Sequence, residues 1–343
     1  MSSHTTTQGL VERERSLSAE TAARMDRRQR ITQSFGILIP FVVVLAVGLI
    51  FAPNFASGSN VTNMLVNAGI LAVVGYGMTL VIALRGIDLS VGSTLALAAV
   101  VAAVAVNEWG GVVGTLAGIA MACVLGVING FVITAFRVPA FIATLSTMSV
   151  FRGAVLLFTG GAPVMIDDAP FKAFATGTVA GIPIPFIVAV VLGFAMWFLL
   201  ERMRYGRHAV AAGGNPEAAV DSGIRISTMQ MIAYVIAAAS AGVAGVLMAS
   251  QLGTVNGSLG TGLELQVIAI VVLGGTSMAG GRGNIVGTFA AAVLLAMINS
   301  GLNLLNVASF YQYVALGALL VFALSLDGVQ RQAIRRAMEG KLS

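Results

Sequence analysis

Eight polar side chains interrupt the long apolar runs of this sequence and are its candidates for contact with a ligand: Asn67, Asn129, Arg152, Gln251, Glu264, Gln266, Asn299 and Asn303. Polar groups are costly in an apolar environment, so those that persist there mark substrate or gating positions. Amides both donate and accept hydrogen bonds. The alternative for each residue is a hydrogen bond between helices, and Arg152 and Glu264 could instead form a structural ion pair.

The sequence has few residues that could carry out covalent catalysis or bind a metal. The only histidines are His4 and His208, and Cys123 is the only cysteine. The HExxH, GxxxxGK[ST] and GxSxG motifs of metal hydrolysis, ATP hydrolysis and acyl transfer are missing. We therefore predict that the chain is not an enzyme and holds no cofactor or metal of its own. Another subunit or an ion gradient would have to supply energy.

The composition indicates which elements position these residues. Of 343 residues, 57% are hydrophobic and 10% are charged, and the mean hydropathy is +0.94. This leaves too little polar surface to cover a water-soluble globule. The sequence predicts an all-α polytopic membrane protein.

Ten apolar segments are long enough to cross a bilayer. They run roughly over residues 35–51, 62–84, 89–106, 112–136, 139–158, 183–200, 229–250, 263–279, 284–303 and 308–326. With both termini in the cytoplasm, all arginines and lysines except Arg152 and Lys172 fall in cytoplasmic segments, as the positive-inside rule requires. An odd number of spans would break this bias.

The flanking segments are polar. Residues 1–33 are rich in Ser, Thr and Arg and are predicted to be a disordered cytoplasmic tail. Residues 34–327 form the predicted transmembrane domain, and residues 328–343 a cytoplasmic C-terminal tail. The long charged lead favours an uncleaved first span over a signal peptide.

A polar segment of about residues 201–228 joins the sixth and seventh spans and carries the signals of a short helix. Asn215 is a suitable N-cap, Pro216 suits the first helical position, and Glu217 suits the first turn. Gly223 can end the helix in a left-handed conformation. A helix this short is unstable alone, so it should dock, either on another protein or on the lipid surface. The segment's candidate docking residues are Gly213, Gly214, Asn215, Pro216, Glu217, Ala218, Ala219 and Gly223.

Two glycine-punctuated corners, residues 85–93 and 274–288, have related patterns that suggest an internal duplication. Asp88 or Ser90 could cap the helix after the first corner, and Asn284 its counterpart. The corners are either cytoplasmic turns or breaks in helices at membrane depth. Their candidate residues are Arg85, Asp88, Ser90, Gly280, Gly281, Arg282 and Asn284.

Five segments together resemble the ribose-type permeases of bacterial ABC importers for monosaccharides. They are GMTLVIALRGIDLSVGS (77–93), VPAFIATLSTMSVFRG (138–153), GGNPEAAVDSGI (213–224), LELQVIAIVVLGGTSMAGGRGNIVGT (263–288) and INSGLNLLNVASFYQ (298–312). The resemblance covers about residues 35–326. It implies a multi-pass protein of the bacterial inner membrane that binds no nucleic acid, and a homodimer of permeases.

The resemblance further implies a cytoplasmic ABC ATPase that uses ATP and Mg, and a periplasmic sugar-binding protein. The segment around Asn215 would then be a coupling helix seated on the ATPase, and a sugar would cross by alternating access. Two alternatives stay open: a branched-chain amino-acid ABC permease, and an ion-coupled secondary transporter. For the latter, Glu264 and Asp88 are the only plausible titratable groups in the spans.

Overall fold

The computed structural model describes residues 39–308 and, beyond them, the separate residues 311, 312, 314, 317, 318, 321 and 325, which are helical. By its internal contacts the chain divides into Met1–Val43 and Val44–Ser343. All interactions reported below lie within the second unit. The predicted tails, residues 1–33 and 328–343, lie outside the described residues, as does most of the predicted tenth span, 308–326.

The described chain is almost entirely helical. Its helices are α1 Ile39–Phe51, α2 Gly58–Ala83, α3 Val91–Trp109, α4 Gly111–Ala135, α5 Ala140–Thr159, α6 Ala169–Thr176, α7 Ile184–Glu201, α8 Arg204–Gly214, α9 Pro216–Asp221, α10 Ile226–Leu252, α11 Leu263–Leu273 and α12 Ile285–Leu304. Four two-residue strands pair antiparallel: β1 Val164–Met165 with β4 Thr254–Val255, and β2 Thr178–Val179 with β3 Ile182–Pro183.

Seven of these helices are long and apolar enough to cross a membrane: α2, α3, α4, α5, α7, α10 and α12. Each coincides with a predicted span to within a few residues, and α1 and α11 are shorter apolar helices. The chain is thus an all-α polytopic membrane protein. The total of ten spans and the cytoplasmic termini stay predictions.

The predicted eighth span, 263–279, is wrong in its length. Helix α11 ends at Leu273 after 11 residues, about 16 Å at 1.5 Å per residue, which is half of a hydrocarbon core. Gly275, Gly280 and Gly281 then adopt positive φ angles, conformations that end a helix and that glycine takes without strain. Uncharged, mostly small residues continue from Gly274 to Gly281, so the absence of charge led to an overestimate of the helix length.

Helix α10 lies at the centre of the bundle and packs most extensively on α4, α2 and α3. Small residues allow these approaches. A Cβ on Gly126 of α4 would meet Ala238 at 2.7 Å, and one on Gly77 of α2 would meet the Cα of Ala237 at 2.5 Å. Membrane helices often approach each other closely through small residues, and these crossings are of that kind.

The outer faces of the bundle are apolar. Val112, Leu157, Val191 and Val286 are among many large hydrophobic side chains that the chain leaves exposed. In water such a surface would drive aggregation. In a bilayer it faces lipid, which agrees with the class that the composition predicts.

The two ends of the bundle differ in charge. At one end α2, α4 and α7 finish and α5, α10 and α12 begin; we call it the basic end because it carries Arg85, Arg137, Arg202, Arg204, Arg207, Arg225 and Arg282. The opposite, distal end carries Arg152 and Lys172, the paired strands β1 and β4, and α6. The positive-inside rule predicts that the basic end faces the cytoplasm.

Helix α3 begins inside the bundle rather than at its basic end. Its fifth residue, Leu95, packs against Gly245 of α10, which is 19 residues, or about 28 Å, from the start of that helix. Gly92 of α3 in turn approaches Gly260 and Glu264 at the start of α11. The starts of α3 and α11 therefore meet in the interior, as expected for helix breaks at membrane depth. Only the first residues of the corner, around Arg85, form a turn at the basic end.

Candidate coupling segment and translocation cavity

Helix α9 is fixed at its start by local signals. Asn215 is its N-cap, and the side-chain oxygen accepts a hydrogen bond from the Ala218 N–H at 3.1 Å. Pro216 occupies the first helical position, and Glu217 lies in the first turn, where the helix dipole favours a carboxylate. The structure confirms this predicted N-terminus.

Helix α9 ends in a Schellman motif. Gly223 has φ +79°; its N–H donates to the Val220 carbonyl at 2.8 Å, and the Ile224 N–H donates to the Ala219 carbonyl at 2.9 Å. These two bonds satisfy carbonyls that the helix end would otherwise leave free. The predicted left-handed cap at Gly223 is confirmed.

The surface of α9 is open to a partner. Only Ala219 is buried, whereas Glu217, Ala218 and Asp221 are exposed and Val220 is 58% exposed. A helix of six residues buries too little against its own chain to be stable independently. The caps at both ends stabilise the helix. Its exposed face combines the apolar Val220 with the carboxylates of Glu217 and Asp221, which suits a partner with apolar and basic groups.

Arg85 connects this segment to helix α2. Its Nε donates to the Gly213 carbonyl at 2.5 Å and its Nη2 to the Gly214 carbonyl at 2.7 Å. These are the last carbonyls of α8, where a cation is favoured by the helix dipole. Arg85 itself has φ +62°, a left-handed conformation that costs energy for a residue with a side chain.

The second corner, residues 274–288, also contacts the end of α8. The Gly281 N–H donates to the Ala83 carbonyl at 2.9 Å, and Gly281 lies against Gly213 and Gly214. Gly213 has no room for a side chain, because a Cβ there would overlap the Ala83 carbonyl oxygen. The structure therefore brings both predicted corners and the predicted docking segment together at the basic end.

The two corners share a hydrogen-bond pattern. In each, the preceding helix ends in a left-handed residue, Arg85 (φ +62°) in the first and Gly275 (φ +90°) in the second. The bonds that close the helices are Arg85 N–H to Ile82 (2.9 Å), Gly86 N–H to Val81 (2.9 Å), Gly275 N–H to Val272 (2.9 Å) and Thr276 N–H to Val271 (3.2 Å). The end of α9 has the same pair of bonds, so the suggested internal duplication stays a prediction.

The predicted caps fare differently. Asn284 caps α12 as expected: its Oδ1 accepts from the Gly287 N–H at 2.9 Å, and its Nδ2 donates to the Gly274 carbonyl at 2.8 Å. For α3 the prediction is wrong. Ser90 occupies the N-cap position but its side chain accepts no bond from the first turn; its Oγ donates to Asp88 instead, at 2.6 Å.

Ser90 is engaged in a buried polar chain. Asp88 accepts from both the N–H and the Oγ of Ser90, Asn129 Nδ2 donates to Ser90 Oγ at 2.7 Å, and Thr147 Oγ1 donates to Asn129 Oδ1 at 2.6 Å. The chain ties the first corner to α4 and α5. Asn129, predicted as a residue of the path, thus has a structural role that the sequence could not separate from ligand contact.

Five of the eight predicted path residues line one cavity in the distal half of the bundle: Asn67, Gln251, Gln266, Asn299 and Asn303. The cavity has a volume of about 390 Å³, within the range of sites for small ligands. Its walls come from α2, α10, α11 and α12. The five amides supply both donors and acceptors to whatever enters.

The other three predicted path residues do not line this cavity: Asn129, described above, Arg152 and Glu264. Arg152 donates from Nη1 to the carbonyls of Gly257 (2.9 Å) and Leu259 (2.7 Å) in the loop before α11. Glu264 is half-buried beside Gly92 of α3. Arg152 thus holds a loop by its backbone carbonyls, a contact that the sequence does not announce.

Two features of the cavity escaped sequence reasoning. Gln312 also lines it, with its Nε2 donating to Asn303 Oδ1 at 2.7 Å. The start of α11 opens beside it without a side-chain cap, since Gly262 is the N-cap residue. The signal available for Gln312 was a glutamine near the start of the predicted tenth span, 308–326. The uncapped start of α11 could not be predicted, because it depends on where that helix begins.

A polytopic helical bundle with an amide-lined cavity in one half and a short exposed helix at the other end has the layout of a membrane permease. Comparison with known proteins agrees. Residues 60–324 match the family model described as branched-chain amino acid transport system / permease component. The chain belongs to this permease family, and with its several apolar helices it is a multi-pass protein of the bacterial inner membrane.

Curated relatives cover most of the chain. The ribose import permease proteins of Escherichia coli and Bacillus subtilis are each 39% identical, over 84% and 87% of this chain and 92% and 93% of their own lengths. The L-arabinose ABC transporter permease protein of Azospirillum brasilense is 33% identical over 94% of both chains. No solved structure matches.

Proposed function

We propose that this chain is the transmembrane subunit of an ABC importer that moves a monosaccharide, a ribose-like pentose or a hexose, into the cytoplasm. The names of its relatives, permeases for ribose, allose and arabinose, support the substrate class. A separate ATPase subunit drives alternating access of the cavity. This chain contributes the path and no nucleotide site of its own.

The observation that carries the proposal is that the three long helices described along the cavity, α2, α10 and α12, also reach the region of α8 and α9. Helix α2 is joined to it through Arg85, and α12 begins at the corner whose Gly281 bonds to Ala83. Helix α10 starts at Ile226, directly after α9, and continues unbroken for 27 residues to Gln251 and Leu252 at the cavity. A movement of α9 is thereby passed to the walls of the cavity.

The lining favours an uncharged polyhydroxyl solute over an amino acid. The side chains that line the cavity in the described part of the chain are amides, a threonine and apolar residues, with no Lys, Arg, Asp or Glu among them. A zwitterionic amino acid would leave its carboxylate and ammonium without charged partners. Sugar hydroxyls are matched by amides, which donate and accept.

The two ends of the bundle bind different partner proteins. The ATPase, which uses ATP and Mg, docks on the exposed face of α9 at the basic end. A second copy of the chain completes the transporter as a homodimer. The periplasmic sugar-binding protein docks at the distal end, where α6 is held to α10 because Ser250 Oγ accepts from the Ala175 N–H at 2.9 Å.

The experiment is reconstitution of the permease, its ATPase and its binding protein in proteoliposomes. We expect uptake of radiolabelled sugar that requires internal ATP and is abolished by orthovanadate. Uptake by the permease alone, driven by a proton or sodium gradient, would instead establish the ion-coupled alternative. A branched-chain amino acid taken up in place of sugar would correct the substrate class.

A further inference from the structure

An apolar groove on the outside of the bundle contains a tyrosine hydroxyl that has no hydrogen-bond partner among the described residues. The groove has a volume of about 220 Å³ and is formed by α2, α7 and the start of α12. Tyr76 of α2 lines it and is 1% exposed, yet its hydroxyl makes no hydrogen bond with any residue that the structure describes. The hydroxyl oxygen of Tyr76 lies 2.6 Å from the position that a Cβ on Gly193 would occupy. Gly193 also lines the groove. The large majority of buried side-chain polar groups are hydrogen-bonded, so this hydroxyl is in a position to donate to a ligand in the groove.

The groove lies near the basic end and opens towards lipid. Trp197 forms one wall, and Ile285 and Val286 form another at the first turn of α12. From Trp197 the groove continues along α7 to Val190, seven residues or about 10 Å deeper. Phe194 and Val286 are exposed on its outer side. Its apolar walls suit a hydrocarbon chain that enters from the bilayer.

A positive charge stands at the mouth of the groove. The guanidinium of Arg202 lies over the Trp197 ring, 5.8 Å from its centroid, and Arg204 and Arg207 follow in the chain, with Glu201 as the acidic neighbour. Tryptophan and arginine together are typical of the level at which lipid headgroups lie.

The spacing of these groups matches one class of molecule. The charge of Arg202 is at the level of Trp197, and the Tyr76 hydroxyl is at the level of Gly193, four residues or about 6 Å deeper along α7. The glycerol unit of a phospholipid separates its phosphate from its first ester by a similar distance. We propose that this groove binds an anionic phospholipid of the leaflet at the basic end. Its phosphate pairs with Arg202, an ester carbonyl accepts from the Tyr76 hydroxyl, and an acyl chain fills the space between Trp197 and Val190.

The test measures phosphatidylglycerol on the purified transporter complex by native mass spectrometry after delipidation and titration. We expect Tyr76→Phe to weaken binding about three- to tenfold, the worth of one hydrogen bond, because it removes only the hydroxyl. Arg202→Gln should abolish the preference for phosphatidylglycerol over phosphatidylcholine. Tyr205→Phe and Arg137→Gln are the matched controls, since Tyr205 donates to the Met229 carbonyl, Arg137 is an exposed arginine between α4 and α5, and neither residue lines the groove; they should bind as the parent does.

A second measurement uses the otherwise unchanged protein and does not depend on how the variants fold. A photo-crosslinking amino acid at Val286, in vesicles that contain phosphatidylglycerol, should yield a lipid adduct. A crosslink to a second copy of the permease would overturn the proposal and assign the groove to the dimer interface. Equal phosphatidylglycerol binding by the parent and Tyr76→Phe would overturn it as well.

Discussion

The guanidinium of Arg85 holds the carbonyl of Gly213, although 128 residues separate them in the sequence. Through this contact the end of α2 is attached to the end of α8, one residue before the cap of α9. Arg85 keeps a left-handed backbone to do so. The contact thus joins the region of α9 to α2, which forms one wall of the cavity.

Replacement of Arg85 by glutamine should uncouple the transporter. The change removes two charge-assisted hydrogen bonds, each worth about 1.5 to 3 kcal/mol, so we expect sugar uptake to fall at least about tenfold while the complex still hydrolyses ATP. Arg137→Gln is the matched control, because Arg137 is also a left-handed arginine at the basic end, φ +55°, and is exposed. Equal uptake by both variants would contradict the coupling role.

Adjacent glycines of α8 should respond in opposite ways to alanine. Gly213→Ala forces a methyl group into the Ala83 carbonyl, so we expect a loss of about 1 to 3 kcal/mol and little transport. At Gly214 the nearest atom to a Cβ is Gly281 Cα at 3.7 Å, an ordinary contact, and alanine favours a helix. Thermal unfolding in detergent and uptake measure both; a tolerated Gly213→Ala would show that the corner can separate from α8.

The cap of α9 can be tested with a conservative pair. Asn215→Ala loses the side-chain acceptor of the Ala218 N–H and should destabilise the helix by about 1 kcal/mol, which weakens binding of the ATPase to the permease. Asn215→Asp keeps an acceptor and should bind normally. Asn215→Pro should uncouple transport while membrane insertion persists. Pull-down of the ATPase at graded salt distinguishes them, and identical retention by the Ala and Asp variants would remove the cap from the docking mechanism.

Substitution of the amides that line the cavity should lower the apparent affinity for sugar. Gln251→Leu and Asn299→Leu each remove hydrogen-bonding groups of about 1 kcal/mol, so we expect sugar uptake to fall roughly fivefold per residue at limiting concentration. Asn63→Leu changes an exposed asparagine of α2 outside the cavity and should leave uptake unchanged. Were all three variants alike, the cavity would not be the path.

Arg152 should affect stability rather than transport affinity. Arg152→Gln loses bonds to the carbonyls of Gly257 and Leu259, so we expect the protein to lose about 2 kcal/mol of stability with an unchanged dependence of uptake on sugar concentration. Lys172→Gln, the other cation at the distal end, is the control. A raised sugar concentration for half-maximal uptake in Arg152→Gln would return Arg152 to the path.

The sequence predicted best what depends on near neighbours. The caps of α9 and α12 use residues within three positions, so Asn215 and Asn284 could be recognised directly. It failed where distant contacts compete. Ser90 has the right type for a cap, but Asp88 and Asn129 engage its hydroxyl, and no local pattern reveals that Asn129 comes from α4.

The same limit explains the cavity. The amides were recognised because polar side chains are rare in apolar segments, and five of them line the cavity. Asn129 and Arg152 are equally polar, but Asn129 bonds to neighbouring helices and Arg152 bonds to backbone carbonyls. Helix α11 was predicted too long because Gly274 and Gly275 are compatible with a membrane helix by composition. The helix ends where Gly274 packs against Gly287 and Thr288 of α12 and Gly275 takes a positive φ, and neither feature can be read from composition.

The unbroken course of α10 sets the relative size of movements at its two ends. If the helix pivots near its start, a tilt of about 10° over its length of about 40 Å displaces the far end by roughly 7 Å. A displacement of that size is wide enough to admit or expel a small solute, although the helix near Ile226 would scarcely move. Under the proposed function, the stroke that the ATPase delivers at α9 can accordingly be short, provided that α10 remains rigid at Gly242 and Gly245.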